Sequence, residues 1–267
     1  MVQINFYATP FYPKKMTFCS NTILITGGAT GIGAAFSKRF LRDGNTVIIV
    51  GRRLDRLQQF QQEVQSDQCH IIQGDVATES SRIQLYERIS SDFPSLNMIV
   101  HNAGIQRRVN ISEGVKPSWA EIQSELDINL SAPIHLTLLF QSMLLKQKNP
   151  AIALVTSGLS FFPKASVPVY SCSKAALHSF TWSLRYQLKD TPIKVIEIIP
   201  PAVNTDLQAP GLHDFGMPVD TFADSVYDRM LKGEEEIGYG MSEQARLAYR
   251  TSNSDTFEAV NKIQWKF

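Results

Sequence analysis

Tyr170 and Lys174 stand four residues apart in a stretch, 169–188, whose pattern predicts a helix, and Ser157 lies thirteen residues before the tyrosine. Residues four apart on a helix share a face, so this spacing sets a phenol beside an ammonium. A free phenol titrates near pH 10, and a neighbouring cation favours its phenolate; each unit of depression corresponds to about 1.4 kcal/mol. Such a tyrosine can give a proton to a reacting oxygen, or take one from it, near neutral pH. Ser157, at the expected end of a strand, can donate a hydrogen bond to that oxygen as negative charge grows on it. Taken singly, each residue has an ordinary use: a packed helix tyrosine, a solvated lysine, a serine in a turn. Their joint order and spacing point to acid–base chemistry at a carbonyl or hydroxyl.

A second group lies far upstream. Thr26-Gly27-Gly28-Ala29-Thr30-Gly31-Ile32-Gly33 follows a short β-branched run and precedes a helical stretch. Glycines at such a junction allow a tight turn and let a pyrophosphate approach backbone N–H groups at the positive end of a helix. About twenty residues on, the next strand ends in Val50, Gly51, Arg52 and Arg53. A carboxylate there would bond a ribose 2′-hydroxyl, whereas a guanidinium accommodates a 2′-phosphate, so the pattern favours NADP(H) over NAD(H), with Arg52 the better candidate.

The elements that must position these groups are legible as an alternation. Continuous β-branched runs recur at 22–26, 46–50, 69–72, 96–100, 151–156 and 193–199, as expected for strands covered on both faces. Between them lie stretches of helical spacing, such as Ala34, Phe36, Phe40 and Leu41, or Leu136, Leu139, Phe140 and Met143. Repeated strand–helix alternation implies right-handed crossovers. The expected fold is α/β, a single doubly wound Rossmann domain over 20–240 with a mostly seven-stranded parallel sheet. Residues 1–19 read as an N-terminal extension, with Met16 an alternative start to Met1. The Pro- and Gly-rich segment from Pro200 to Pro218 is long for a plain connection, so a substrate loop is expected at about 206–218. A helix near 219–232, a short strand at 236–239 and a tail over 241–267 with one helix at most complete the pattern.

These residues resemble the short-chain dehydrogenase/reductase family over roughly 20–240. The spacing from Thr26 to Gly33 is that of the family's ordinary short members; Asp75-Val76 sits where an adenine-contacting Asp lies, and His101-Asn102-Ala103-Gly104 is similar to the family's Asn-Asn-Ala-Gly. Asn129, Ser157, Tyr170 and Lys174 resemble its catalytic tetrad. The resemblance implies that the cofactor is held by Gly27, Thr30, Gly31, Ile32, Gly33, Arg52, Arg53, Asp75, Val76, Asn102, Ala103, Gly104, Tyr170, Lys174, Val203 and Thr205. It also gives Lys174 a bond to the nicotinamide ribose and Asn129 a place in a water relay, and it suggests a homodimer or homotetramer through the long helices. Two positions depart from the pattern: Pro201 replaces a glycine that lines the nicotinamide, and Ser160 replaces a glycine three residues past the catalytic serine. The stretch from Glu197 to Leu207, with Gly211 to Pro218 after it, resembles the DltE-type branch of oxidoreductases.

Composition removes other classes. Of 267 residues, 43% are apolar and 19% charged, which suits a packed domain and excludes overall disorder. A formal charge of +1 provides no field to gather nucleic acid or acidic lipid, so neither is an expected partner. Cys19, Cys69 and Cys172 are too scattered for a disulfide framework or zinc site, which favours a reducing, cytoplasmic setting. Cys172 is expected to face away from the Tyr170–Lys174 pair as a small buried side chain. No histidine pattern has metal-ligand spacing, and Ser157 lacks the flanking glycines of a hydrolase elbow. The expected function is NADP(H)-dependent hydride transfer between nicotinamide and a small or medium carbonyl or alcohol substrate. The alternative is a non-catalytic NADP-binding regulatory or interaction protein, motivated by Pro201.

Overall fold

Because most of the strands are largely apolar runs, they need cover on both faces. In the computed structural model they receive it: the order along the chain is β1 (Thr22–Thr26), α1 (Gly31–Arg42), β2 (Thr46–Gly51), α2 (Leu54–Val64), β3 (Cys69–Gln73), α3 (Glu79–Asp92) and β4 (Leu96–His101). Then follow α4 (Trp119–Leu126), α5 (Ala132–Leu144), β5 (Ala151–Val155), α6 (Pro168–Gln187), β6 (Lys194–Ile199), α7 (Val219–Leu231), β7 (Glu236–Gly238) and α8 (Met241–Tyr249). The structure describes residues 19–114, 117–205, 207 and 214–249. The N-terminal extension and the tail therefore lie largely outside the described residues, as does most of the loop expected at 206–218.

The seven strands form one sheet in the order β3-β2-β1-β4-β5-β6-β7, and every pairing is parallel. Side chains alternate faces along each strand. Ile23, Ile25, Val47 and Ile49 pack with Phe36, Phe40, Leu57, Phe222 and Tyr227 on one side. Leu24, Ile48 and Val50 pack with Leu85, Leu136, Phe140 and Leu184 on the other. The chain runs outward from β1 to β3, then returns to lay β4 on the opposite side of β1. Such a reversal opens a crevice at the carboxyl ends of the strands. Register brings the functional segments to one level: Thr26 pairs with both Val50 and His101, and Val155 pairs with Ile198.

Three local features adjust the expected elements. Thr156 leaves the strand expected at 151–156 and donates its hydroxyl to Glu197 Oε1 at 2.7 Å. Between α4 and α5 the chain widens into a π turn, Asp127–Ser131. Pro133, without an N–H, cannot serve the carbonyl four residues back, and widening is one way the helix accommodates it. The tail contributes α8, whose Ser242 hydroxyl donates to the Ile199 carbonyl and fastens this helix to the end of β6.

Candidate active site

The crevice is a cleft of about 1510 Å³ along the carboxyl ends of the strands, larger than an ordinary small-ligand pocket and roomy enough for a nucleotide and a second reactant. At its centre the glycine turn is built by backbone conformation. Gly27 and Gly31 have φ of +67° and +53°, the left-handed region that side chains resist. Gly33 lies behind the turn: a Cβ there would run into the Gly27 carbonyl oxygen and the Asn102 amide nitrogen. That amide, Nδ2, donates to the carbonyls of Thr26 and Gly27 at 3.1 Å each. The Thr26 hydroxyl accepts from the backbone N–H groups of Asn102 and Ala103, also at 3.1 Å. Asn102 thus clamps the turn to β4.

The candidate reacting centre sits where β5 meets α6. Ser157, nearly buried, opens a short 3₁₀ turn (Gly158–Ser160), its Oγ accepting from Leu159 N at 3.2 Å. Tyr170 lies in the first turn of α6, its hydroxyl close enough to Ser157 for that side chain to lower its pKa. Lys174 lies one turn further on, only 3% exposed, and donates from Nζ to the Val155 carbonyl at 2.7 Å. Nζ is 5.7 Å from the centroid of the Tyr170 ring. The expectation that the lysine depresses the phenol is corrected here, because burial raises it instead. Burial pushes Tyr170 up to about 12, with the Ser157 side chain pulling down and the Glu125 charge pushing up. Burial also lowers Lys174 to about 8.

The cleft brings together most of the residues singled out from the sequence. Gly27, Thr30, Gly31 and Ile32 line it, with Arg52, Arg53, Asp75 and Val76 toward one end, Asn102, Ala103 and Gly104 in the middle, and Ser157, Tyr170, Lys174, Val203 and Thr205 toward the other. Gly33 and Asn129 are not on its wall. Asn129 Oδ1 accepts from Ile105 N at 2.9 Å, while its Nδ2 donates to Ile105 O at 2.8 Å and Ser173 Oγ at 3.2 Å. This carboxamide secures the loop leaving β4. Ser160 also faces inward, its hydroxyl donating to the Lys174 carbonyl at 2.9 Å, so that the 3₁₀ turn is tied to α6. Pro201 remains on the cleft wall. Cys172 is exposed, contrary to the buried position expected: two residues from both Tyr170 and Lys174, it lies off the face they share, and its side chain leaves the helix on the solvent side.

Several lining residues were not anticipated. Arg56 joins Arg52 and Arg53; Arg107, Arg108, Lys164, Met241 and Ala245 line the end beyond Tyr170. Behind Arg107 lies Glu125, 1% exposed, its Oε2 3.7 Å from Arg107 Nη1 and its Oε1 without a hydrogen-bond partner. Burial pushes this carboxyl up to about 7, against the pull of Arg107. The basic pair directly after Gly104-Ile105-Gln106 is a signal available in the sequence. Glu125 is not, because its burial depends on how the loop folds over α4. A further buried group lies under Ser157: His178 Nδ1 is 2.8 and 3.0 Å from the two carboxylate oxygens of Glu197, itself fully buried.

Comparison with known proteins places the chain in a family. Residues 21–214 match the family model for short chain dehydrogenases. The chain is 42% identical over 252 residues to the uncharacterized oxidoreductase DltE of Bacillus subtilis, covering 92% of this chain and 98% of that one. A short chain dehydrogenase from Burkholderia cenocepacia, solved in complex with NADP, superposes with a TM-score of 0.79 at 19% identity, covering 92% of this chain and 99% of that one. Another from Burkholderia phymatum, in complex with NAD, gives 0.78 at 16%, covering 94% and 99%. The last two are likenesses of fold; the family match and the DltE relative extend to sequence. The chain belongs to the short chain dehydrogenase family of oxidoreductases.

Proposed function

We propose that the protein is an NADP(H)-dependent oxidoreductase that interconverts a small or medium carbonyl compound and its alcohol, with Tyr170 as proton donor and acceptor. The observation that carries this reading is the placement of Tyr170 beside Ser157, with Lys174 one turn away, in the same cleft as the glycine turn. The cleft fits a dinucleotide in its own chemistry: left-handed glycines open the backbone of the turn, and three guanidinium groups lie at the far end. Gly27, Thr30, Gly31, Ile32, Asp75, Val76, Ala103, Gly104, Val203 and Thr205 would hold it along the cleft, with Gly33 and Asn102 shaping the turn from behind. Arg52, Arg53 and Arg56 would face a 2′-phosphate. The neighbours solved with NADP and with NAD are consistent with either nucleotide; the guanidinium groups favour the phosphorylated one.

When bound, the reduced nicotinamide supplies a hydride to a carbonyl carbon. Tyr170 transfers its phenolic proton to the carbonyl oxygen, so that C=O becomes H–C–O–H; in the oxidising direction the same oxygen takes the proton back. Ser157 donates a hydrogen bond to the substrate oxygen as its charge grows. Lys174, buried and titrating low, stabilises the phenolate left behind and bonds the neighbouring ribose. The non-catalytic alternative draws no support from the geometry, since Pro201 lines the cleft without parting Ser157 from Tyr170. Self-association is proposed through the helices that leave Trp119, Leu138 and Tyr186 exposed.

The test is reduction of a carbonyl panel followed by absorbance of the reduced nicotinamide. Tyr170→Phe is expected to lower kcat by about 10²–10⁴ while leaving NADPH binding intact. Equal turnover by the variant would end the assignment. Arg52→Ala is expected to weaken NADPH more than NADH by about tenfold or more; equal loss would remove the case for the phosphate.

A further inference from the structure

The wall of the cleft beyond Tyr170 carries more positive charge than binding a neutral carbonyl compound requires. Arg107 and Arg108 come from the loop that leaves β4, and Lys164 comes from the segment between the 3₁₀ turn and α6. The two segments are joined by Val109 N, which donates to Ser166 O at 3.2 Å, and the second is tied to α6 by Lys164 N, which donates to Ser171 Oγ at 3.1 Å. The loop starts at the reacting centre, because a Cβ on Gly104 would lie 3.7 Å from Lys174 Nζ. Three cations therefore gather on one wall, next to the tyrosine and at the opposite end from Arg52.

Cationic side chains lining a half-buried wall attract an anion, which they can bond through charge-assisted hydrogen bonds. Two details describe the wall's electrostatics. Burial and the charge of Arg108 together hold Lys164 down to about 8. The Arg107 guanidinium is braced from behind by the buried Glu125 carboxylate at 3.7 Å, while its Nη1, also buried, makes no hydrogen bond. A braced fork of N–H donors matches a carboxylate in two-point geometry. The same cleft is also lined by apolar groups, Phe162 and Met217 among them.

We propose that the substrate carries an anionic group, a carboxylate, held by Arg107, Arg108 and Lys164 while its carbonyl or hydroxyl faces Tyr170 and its carbon chain lies on the apolar wall: an oxo acid or hydroxy acid. This rests on the oxidoreductase reading above and specifies the substrate class for the same site.

The experiment uses the full chain with NADPH and matched pairs: 3-oxohexanoate and 5-oxohexanoate, each against its methyl ester, with 2-hexanone as the neutral reference. The free acids are expected to exceed their esters in kcat/KM by about ten- to a hundredfold, the usual range for a hydrogen-bonded charge pair. In Lys164→Met the acid-to-ester ratio should fall toward one, and Arg108→Gln, checked for retained NADPH binding, serves as a second variant should the first fail to fold. A readout independent of turnover is calorimetry of hexanoate against hexanamide on the NADPH-bound protein, with hexanoate expected to bind about tenfold tighter or more. Equal kcat/KM for acids and esters, or equal binding of hexanoate and hexanamide, would overturn the anion site and leave the oxidoreductase reading standing. Selective hexanoate binding with no turnover of any carbonyl would do the reverse.

Discussion

The two ends of the cleft are made differently. Around the glycine turn the walls are backbone, shaped by strand ends in register and by side chains such as Thr26 and Asn102 whose polar atoms are spent on neighbouring carbonyls and N–H groups. Beyond Tyr170 the walls are side chains, contributed by the loop after β4, the 3₁₀ turn and α8, with charged groups facing the cleft. The first end has little freedom to change without losing the fold; the second can be rebuilt one side chain at a time. Binding a common nucleotide and a particular substrate ask for that division.

The sharpest way to break the comparison is at Gly33. A methyl group there meets the Gly27 carbonyl and the Asn102 amide, neither of which can retreat without giving up the clamp between β1 and β4. Gly33→Ala is expected to cost about 3 kcal/mol or more, from overpacking plus the lost hydrogen bonds, and to abolish NADPH binding. Urea unfolding and nucleotide titration of the same sample check it. Wild-type stability with weakened binding alone would mean that the turn yields, and that the first end is softer than its packing implies.

Between the ends lies the seam at Ser157, held from below by Thr156, Glu197 and His178. Glu197→Ala leaves the Thr156 hydroxyl and the His178 ring without their buried partner, and is expected to cost about 2–3 kcal/mol. Glu197→Gln keeps a partner for both and should recover part of that loss. Because the seam also sets the position of Ser157, kcat should fall with stability in the alanine variant; unchanged turnover would show that the network only fills the core.

The same division decides what can be read from the residue order. Strand runs such as Thr22–Thr26 and the spacing of Tyr170 and Lys174 are set by local periodicity, and they stand where that periodicity puts them. The glycine turn is legible because left-handed backbone admits few residue types. Asn129 shows the limit: its place in the chain is visible, but that its amide is spent on Ile105 emerges only when the loop after β4 closes over the π turn. Glu125 is the opposite case. It sits on a helix with a capping box and reads as one more surface carboxyl, yet it is almost wholly buried because Arg107 arrives from elsewhere in the sequence. Its burial is a property of two loops and a helix together, and no single window contains it. The raised phenol of Tyr170 has the same origin, since spacing reveals the lysine neighbour but not the depth of burial.

Glu125 sharpens the comparison through pH. Its carboxyl titrates at about 7 in the folded chain against 4.5 as a free group. Between those values the folded chain holds a proton that the unfolded chain has lost, so stability falls as pH rises from about 4.5 to about 7. In Glu125→Gln that slope disappears. The stability of the parent relative to the variant should therefore drop by on the order of 2 kcal/mol across this window, measured by urea midpoints at pH 4.5 and 8. The Glu125 charge also raises Tyr170, so the variant's alkaline limb in kcat/KM should move to lower pH. An unmoved limb would separate the substrate wall from the proton donor electrostatically.

The smallest effect belongs to α8. Met241 lines the far wall yet is 68% exposed, so it contributes contact area to a bound chain and little to the core. Met241→Ala is expected to leave stability within about 0.5 kcal/mol and NADPH affinity unchanged, since no backbone feature depends on it. KM for a six-carbon substrate should rise by about two- to fivefold, the equivalent of under about 1 kcal/mol of apolar contact, while a three-carbon analogue should not respond. If Met241→Ala instead lowered Tm by several degrees or weakened the nucleotide, the outer wall would be part of the scaffold. The contrast between a fixed end and a replaceable one would then have to be redrawn at α8.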